Sequence, residues 1–161
     1  FMARQVAIAA HKPASFAGAS SAVTSELAAL GLPMAGVHIV DGSGISHLNT
    51  LTPDLLTALL SYDAQPDHAR FHALFSGLPV AGWSGTLQNR YLSTTASPAA
   101  GALRAKTGTL DGVSALAGTV IDSSGRVLSF AVMADKIPDG LDAPAAEDAI
   151  GAVLYRCGCG G

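Results

Sequence analysis

The stretch Arg104-Ala105-Lys106-Thr107-Gly108-Thr109-Leu110-Asp111-Gly112-Val113 places an ammonium, two hydroxyls and a position without a side chain close together. Lysine is scarce here, occurring only at 12, 106 and 136. Lys106 lies in an otherwise apolar, strand-like run, where a charge costs free energy unless a partner or ligand meets it. Gly108 lets another molecule come close to the backbone. A cation flanked by the Thr107 and Thr109 hydroxyls and by free N–H groups suits a small carboxylate. The competing reading is an edge lysine whose stem covers apolar surface while its head stays in water. The Lys-Thr-Gly triplet alone does not separate the two.

A second cluster, Asp41-Gly42-Ser43-Gly44-Ile45-Ser46-His47-Leu48-Asn49, stands about sixty residues upstream. A serine is a weak acid and a weak base, but a hydroxyl between lysines can relay a proton. An amide such as Asn49 can hold a substrate amide through both donor and acceptor. The same residues also favour a plain turn and cap. Other chemistries fare worse. No serine has the Gly-x-Ser-x-Gly surroundings of a nucleophile elbow. His68 and His72 are four apart on an expected helix, but Ala69 stands where a zinc peptidase needs Glu, so a solvated helix face is the better reading.

These residues need elements to position them. Val37–Val40 reads as a short strand ended by the Asp41–Gly44 turn. A first helix stops near His11, with Arg4 and Gln5 on one face and Met2, Val6 and Ala9 or Ala10 on the other. Ser15 caps a second helix with Phe16, Val23, Leu27 and Leu30 as its apolar positions, closed by Gly31. Thr52 and Pro53 open a third, striped by Leu55, Leu56, Leu59 and Leu60. Another is expected over residues 67–75, then a Gly/Ser/Thr/Pro-rich loop over 76–100 with a helical turn near Thr86. Three strands follow, over 103–107, 113–121 and 126–134, the last two joined by the Asp122-Ser123-Ser124-Gly125 turn. A final helix over 145–155 presents Ala149, Val153 and Leu154 to the sheet. The expectation is an α+β arrangement of helices, then a three-stranded antiparallel meander, then a closing helix.

Composition agrees with a packed globular body. Of the 161 residues 49% are apolar and only 13% charged. A net charge of −3 without any basic run gives no electrostatic footprint for nucleic acid or for an anionic membrane. No run of eighteen apolar residues occurs, and Phe1–Ala10 lacks the charged leader and cleavage site of a signal peptide. The expectation is that the chain begins inside a helix, as a fragment does. Cys157 and Cys159 sit too close for an unstrained bridge and cannot complete a zinc site, so a frayed tail with free or fortuitously oxidised thiols is expected.

Together, the two clusters resemble the motifs of the serine penicillin-binding proteins, Ser-x-x-Lys, Ser-x-Asn and Lys-Thr-Gly. The Asp41–Ser46 lead, Leu78-Pro79-Val80-Ala81-Gly82 with Gly85-Thr86-Leu87, and Ala105–Leu110 are similar to the class C low-molecular-mass carboxypeptidases, the S13 peptidases. The resemblance implies a penicillin-binding transpeptidase or β-lactamase-like fold, with residues 1–161 as the C-terminal part of its catalytic domain. It also implies serine DD-carboxypeptidase chemistry on D-Ala-D-Ala termini of peptidoglycan stem peptides, outside the cytoplasmic membrane, through an acyl-enzyme that β-lactams trap. Whether such an enzyme trims only, or also cuts cross-links as a DD-endopeptidase, is left open by the sequence. No metal or cofactor is implied. Ser46, Asn49 and Lys106 would be catalytic, and Thr107, Gly108 and Thr109 would bind substrate. Strict Ser-x-Asn spacing puts the amide at Leu48, and Ser46 with Asn49 is the better match. No Ser-x-x-Lys occurs, because Ala9, Leu103 and Met133 stand three residues before the lysines. The nucleophile would come from an N-terminal segment of the same protein or from another chain, whose strands would also flank Val127–Met133. A class A β-lactamase needs a deacylating Glu, and neither Glu26 nor Glu147 stands near a motif. The alternative of another class is a non-catalytic peptidoglycan- or partner-binding module of the same fold.

Overall fold

Small residues decide how the first helices pack. In the computed structural model, which describes residues 1–157, α1 spans Met2–Ala9 and α2 spans Phe16–Ala29. Ser15 caps α2 by accepting the Gly18 N–H at 3.0 Å. Gly31 follows the helix at φ 75°, the left-handed position where a Cβ would be strained. The buried contact is alanine on alanine, with Ala7, Ala19 and Ala22 at its centre and Ala3, Val6 and Ala10 against them. This corrects the expected faces: Met2, Ala9 and Phe16 are exposed. The Phe16 ring instead lies under the Arg4 guanidinium, 4.9 Å from its centroid. Bulky side chains would hold the two helices apart, so the close seam selects the small ones.

Val37–Val40 forms no ladder strand. Its pairing is a single antiparallel bridge in which His38 and Thr50 exchange N–H···O bonds of 2.8 and 2.7 Å. The Val40 N–H goes to Asn49 Oδ1 in the intervening loop at 2.8 Å, and the Val37 N–H to the Met34 carbonyl at 3.1 Å. The next helix, α3 over Pro53–Asp63, opens as expected, with Thr52 Oγ1 accepting the Leu55 N–H at 3.2 Å.

The chain divides into two compact units, Phe1–Ala58 and Leu59–Gly161, with the boundary inside α3. In the second unit the helix expected over 67–75 breaks into a 3-10 turn, Pro66–Phe71, and a short α4, Ala73–Gly77. The imidazoles explain the break. His68 stacks on Tyr62 at 3.8 Å and meets the Tyr62 carbonyl at 2.7 Å, while His72 meets the Gln65 carbonyl at 3.2 Å.

Strands β1 (Leu103–Leu110), β2 (Val113–Ile121) and β3 (Val127–Ala134) form an antiparallel sheet in the order β1-β2-β3. The register pairs Leu103 with Val120, Ala105 with Gly118, Thr107 with Leu116 and Thr109 with Ser114. With Leu128, Phe130 and Val132 of β3, these residues line one face, and α5 (Ala143–Arg156) packs on β2 and β3. The hydrophobic core lies there, built on Leu87, Tyr91, Leu103, Leu116, Val120 and Phe130. Helix α5 buries Glu147, Asp148, Gly151 and Ala152 rather than the expected Ala149 and Val153, because a guanidinium waits for the two carboxylates. Asp122 organises the β2–β3 turn, its Oδ1 accepting from the Ser124 N–H, the Ser124 hydroxyl and the Arg126 N–H. Among the described residues β3 pairs with β2 alone, so its outer edge has no partner there. Cys157 is exposed at the end of α5, and Cys159 lies outside the described residues.

Gly118 supplies a direct test of the sheet. A Cβ there would stand 2.0 Å from the Arg104 carbonyl oxygen and 2.5 Å from Ala105 Cα, and backbone cannot move aside cheaply. Gly118→Ala is expected to destabilise the fold by about 2 kcal/mol or more, read as a lowered midpoint in urea unfolding with an unchanged slope.

Candidate active site

One carboxylate builds the loop at 41–49. Asp41 Oδ1 accepts the Ser43 N–H at 2.7 Å, the Ser43 hydroxyl at 2.8 Å and the Gly44 N–H at 2.7 Å. Its Oδ2 accepts the Ser46 N–H at 3.0 Å and an Asn49 Nδ2 hydrogen at 3.3 Å. The Ser43 hydroxyl first, and then the Ser43, Gly44 and Ser46 amides, hold the Asp41 pKa down to about 2 against the opposing effect of burial. The loop is seated on α1, since a Cβ at Gly42 would fall 2.2 Å from the Ala3 Cβ. The Ser20 hydroxyl donates to the Ile39 carbonyl just ahead of it.

This geometry gives Ser46 and Asn49 different freedoms. Ser46 Oγ accepts the Leu48 N–H at 3.2 Å, which leaves its proton to donate elsewhere. Asn49 Oδ1 already accepts the Val40 and Asp41 N–H groups, at 2.8 and 3.3 Å. Its side chain therefore shapes the loop and has little acceptor capacity left for a ligand. Leu48, where strict motif spacing would place the amide, is 72% exposed and so is not there for packing.

The second cluster lies in the other compact unit, along β1. An antiparallel strand turns its N–H and C=O groups alternately to its two sides. The Ala81 N–H bonds the Leu103 carbonyl and the Ala105 N–H bonds the Pro79 carbonyl, both at 2.9 Å. Residues 103 and 105 thus point outward, away from β2, and residues 107 and 109 must do the same. The Pro79–Ala81 segment covers the outer edge beside 103–105, and no described strand continues that pairing beside Thr107 and Thr109. Alternation also puts Lys106 and Gly108 on the sheet face opposite Thr107 and Thr109, so the cation is not flanked by the two hydroxyls on one face as expected. The long stem corrects for this: Lys106 Nζ folds over the outer edge and donates to the Thr107 carbonyl at 2.6 Å. Thr107 Oγ1 is held by Thr86 Oγ1 at 3.0 Å. A Cβ at Gly108 would make only an ordinary 3.5 Å contact with Ala115, so packing gives no reason for glycine there.

Behind this edge, Arg90 enters a cluster of buried carboxylates. Its Nε and a terminal nitrogen donate to Asp148 Oδ1 at 2.9 and 2.7 Å, and that nitrogen also meets Glu147 Oε2 at 3.1 Å and the Pro144 carbonyl at 2.8 Å. Burial alone would weaken the Arg90 charge, but Asp148 and Glu147 outweigh it and raise the pKa. Ser114 donates to Glu147 Oε1 at 2.7 Å. A pocket of about 230 Å³ opens beside these groups, with Thr109, Leu110, Ser114, Ile137, Leu141 and Pro144 among its lining. Sequence reasoning missed Thr86, Arg90, Ser114 and the Glu147-Asp148 pair. The legible signal is two adjacent acids in a helix that is otherwise apolar until Tyr155 and Arg156, and the pair needs a cation if it faces the core.

Three comparisons bear on this arrangement. The sequence profile of the D-Ala-D-Ala carboxypeptidase 3 (S13) family matches residues 1–156. Carboxypeptidase DacB of Mycolicibacterium smegmatis is 47% identical over 160 residues, covering 99% of this chain and 34% of that protein. The D-alanyl-D-alanine carboxypeptidase of an Actinomadura species is 40% identical over 116 residues, covering 69% of this chain and 20% of its own length. Among solved structures, penicillin binding protein 4 from Haemophilus influenzae, complexed with a novel β-lactam, superposes with a TM-score of 0.80 at 30% identity. That match covers 96% of this chain and 36% of the other. The chain thus spans about a third of the length of M. smegmatis DacB and of the H. influenzae protein. The match bears out the α+β fold of penicillin-binding type.

The Asp41 loop carries a pH signature. Its carboxyl binds a proton less readily in the fold than the ordinary 3.8 of an unfolded chain, so the loop's stabilisation is complete above that value and lost as pH falls through about 2. Carboxyl NMR titration should place Asp41 near 2. Amide exchange across 41–49, corrected for its intrinsic pH dependence, should accelerate between about pH 4 and 2 in the parent and be fast throughout in Asp41→Ala. A titration near the ordinary value would reject the role given to this carboxylate.

Proposed function

The chain belongs to the D-Ala-D-Ala carboxypeptidase S13 family, and on that premise we propose that it supplies the substrate-binding half of a serine DD-carboxypeptidase acting on peptidoglycan stem peptides outside the cytoplasmic membrane. The observation that carries the reading is the open stretch of β1, with the Thr107 and Thr109 backbone groups facing outward and the Lys106 ammonium folded over the same edge. An extended peptide can add to such an edge through main-chain hydrogen bonds. Its terminal carboxylate would meet the Thr107 and Thr109 hydroxyls beside a positive charge.

In the proposed reaction the nucleophile comes from a Ser-x-x-Lys segment, N-terminal in the same protein or on another chain, that also flanks the free edge of β3. The serine oxygen attacks the carbonyl carbon of the penultimate D-Ala, and its own lysine takes the proton. The Thr109 N–H is one donor to the resulting oxyanion, and the serine N–H is the other. Ser46, with its hydroxyl proton uncommitted, and Lys106 pass a proton to the leaving D-Ala nitrogen as the C–N bond breaks. Asn49 contributes chiefly by holding the Ser46 loop, with an Nδ2 hydrogen facing the donor peptide. Water then hydrolyses the ester. A β-lactam would follow the same first step and stay attached. Endopeptidase cleavage of cross-links uses the same groups with a larger leaving residue. A non-catalytic peptidoglycan- or partner-binding module of this fold is the second reading, because the open edge of β1 could hold an extended peptide without cleaving it.

Replacement of Lys106 separates the two. In a protein that carries this chain together with its Ser-x-x-Lys segment, Lys106→Ala should slow D-Ala-D-Ala peptide turnover and penicillin acylation by two orders of magnitude or more, about 3 kcal/mol of transition-state stabilisation. The melting temperature should stay near that of the parent, because the side chain is exposed. Unchanged turnover on the same preparation would reject the catalytic assignment.

A further inference from the structure

We propose that the chain from half-buried Arg90 to the buried Glu147 and Ser114 is a positioning device for the substrate-facing end of β1, so that Ser114 and Glu147 act on the reaction through the Thr109 N–H without touching substrate. The inference rests on the carboxypeptidase reading above. Ser114 is the direct cross-strand neighbour of Thr109. Since residues 107 and 109 direct their backbone groups outward, Thr109 and Ser114 form a non-hydrogen-bonded pair, whose side chains approach most closely of all cross-strand pairs. No ladder bond joins these two residues. The lateral support of Thr109 is the pair of ladder steps on either side, Gly108 with Ala115 and Leu110 with Val113. The outer side gives no help, because the Pro79–Ala81 pairing ends at Ala105.

The end of the hairpin is therefore where β1 should fray, and that is where Ser114 is tied down. Its side chain is buried and donates a charge-assisted bond of 2.7 Å to Glu147, itself only 3% exposed. Glu147 cannot drift, since Arg90 holds its other oxygen and is itself fixed by Asp148 and the Pro144 carbonyl. Tyr91, next to Arg90, is a non-glycine residue at φ 61°, and its N–H is accepted by Asp148 Oδ2 at 3.3 Å. Strained backbone and buried charge are both costly, and an apolar trio of similar volume would stabilise the core as well or better. What the charged arrangement adds is direction. It fixes one end of α5 to one residue of β2, and through that residue the angle at which the Thr109 N–H leaves the edge. A donor to an oxyanion loses most of its effect when displaced by a fraction of a hydrogen-bond length.

The test uses the same protein, with this chain and its Ser-x-x-Lys segment together. Ser114→Ala removes the donor, Glu147→Gln keeps an acceptor but removes the charge, and Ser114→Thr keeps the hydroxyl. Ser114→Ala should lower the limiting rate of penicillin acylation about tenfold or more while apparent affinity stays within about twofold, with Glu147→Gln intermediate and Ser114→Thr near the parent. Amide exchange should accelerate about tenfold at Gly108 and Leu110, which bond to β2 on either side of Thr109, and stay unchanged at Arg104. Exchange that rises equally along β1 would mean a merely structural role and overturn the proposal. So would acylation within about twofold of the parent once Gly108 and Leu110 exchange faster. Lys106→Ala serves as the control on the underlying reading. If it abolishes turnover while Ser114→Ala does not alter acylation, only the positioning role is rejected. If Lys106→Ala is itself active, the carboxypeptidase reading falls first.

Discussion

An antiparallel strand must satisfy hydrogen-bonding groups on two sides, and β1 is partnered on its outer side for only part of its length. Pro79–Ala81 closes the edge beside Leu103 and Ala105 and then turns away. That interruption creates a place where an extended ligand can be met by backbone groups of fixed direction. The rest of the second unit serves it. The 3-10 turn Gly85–Leu87 brings Thr86 to Thr107, and the β2–β3 hairpin with α5 gives the open strand a rigid back. A strand paired on both sides throughout would be more stable and could bind nothing there.

Carboxylates recur as the organisers of this chain. Asp41 gathers three donors on one oxygen and two on the other to form a loop, and Asp122 does the same for a hairpin. In both, a serine hydroxyl, from Ser43 or Ser124, does most to hold the pKa down to about 2. Glu147 and Asp148 are held chiefly by the Arg90 guanidinium. The gradation follows burial. The partly exposed Asp41 is held by neutral donors, whereas Asp122, 3% exposed, adds the Arg126 guanidinium to its serine and amide donors. A carboxylate taken out of water needs a charge to meet it.

Much of this was legible in residue order. The strands, the Thr52 cap, the Asp122–Gly125 turn and the Ser15 cap follow from local chemistry, and the structure places them within a few residues of expectation. The misreadings share a cause. Val37–Val40 has the composition of a strand, but Asn49 and Asp41 take up its neighbouring donors, and side-chain competition of that kind leaves no periodic trace. The helix over 67–75 is broken by imidazoles bonding carbonyls six and seven residues back, again invisible to spacing. In α1 and α2 the large Met2 and Phe16 lie outside a seam built on alanine, and in α5 the apolar Ala149 and Val153 lie outside a face that buries paired acids with glycine and alanine. At the site, the order of residues named Lys106 and its threonines correctly but not their division between two faces of a sheet, which required knowing that β1 continues to Leu110.

The seam between α1 and α2 has a thermodynamic consequence of its own. Ala7, Ala19 and Ala22 have no rotamers to surrender, so the helices dock almost without side-chain entropy loss. In return, each contact is a few methyl groups whose dispersion attraction fades within an ångström of separation. Such a joint has narrow tolerance: it is nearly free to form when the fit is right and weak when it is not. Because Gly42 rests against Ala3 of the same seam, the loop that carries Ser46 inherits that tolerance. A single added methylene on α1 would be transmitted to it as a displacement rather than absorbed as strain.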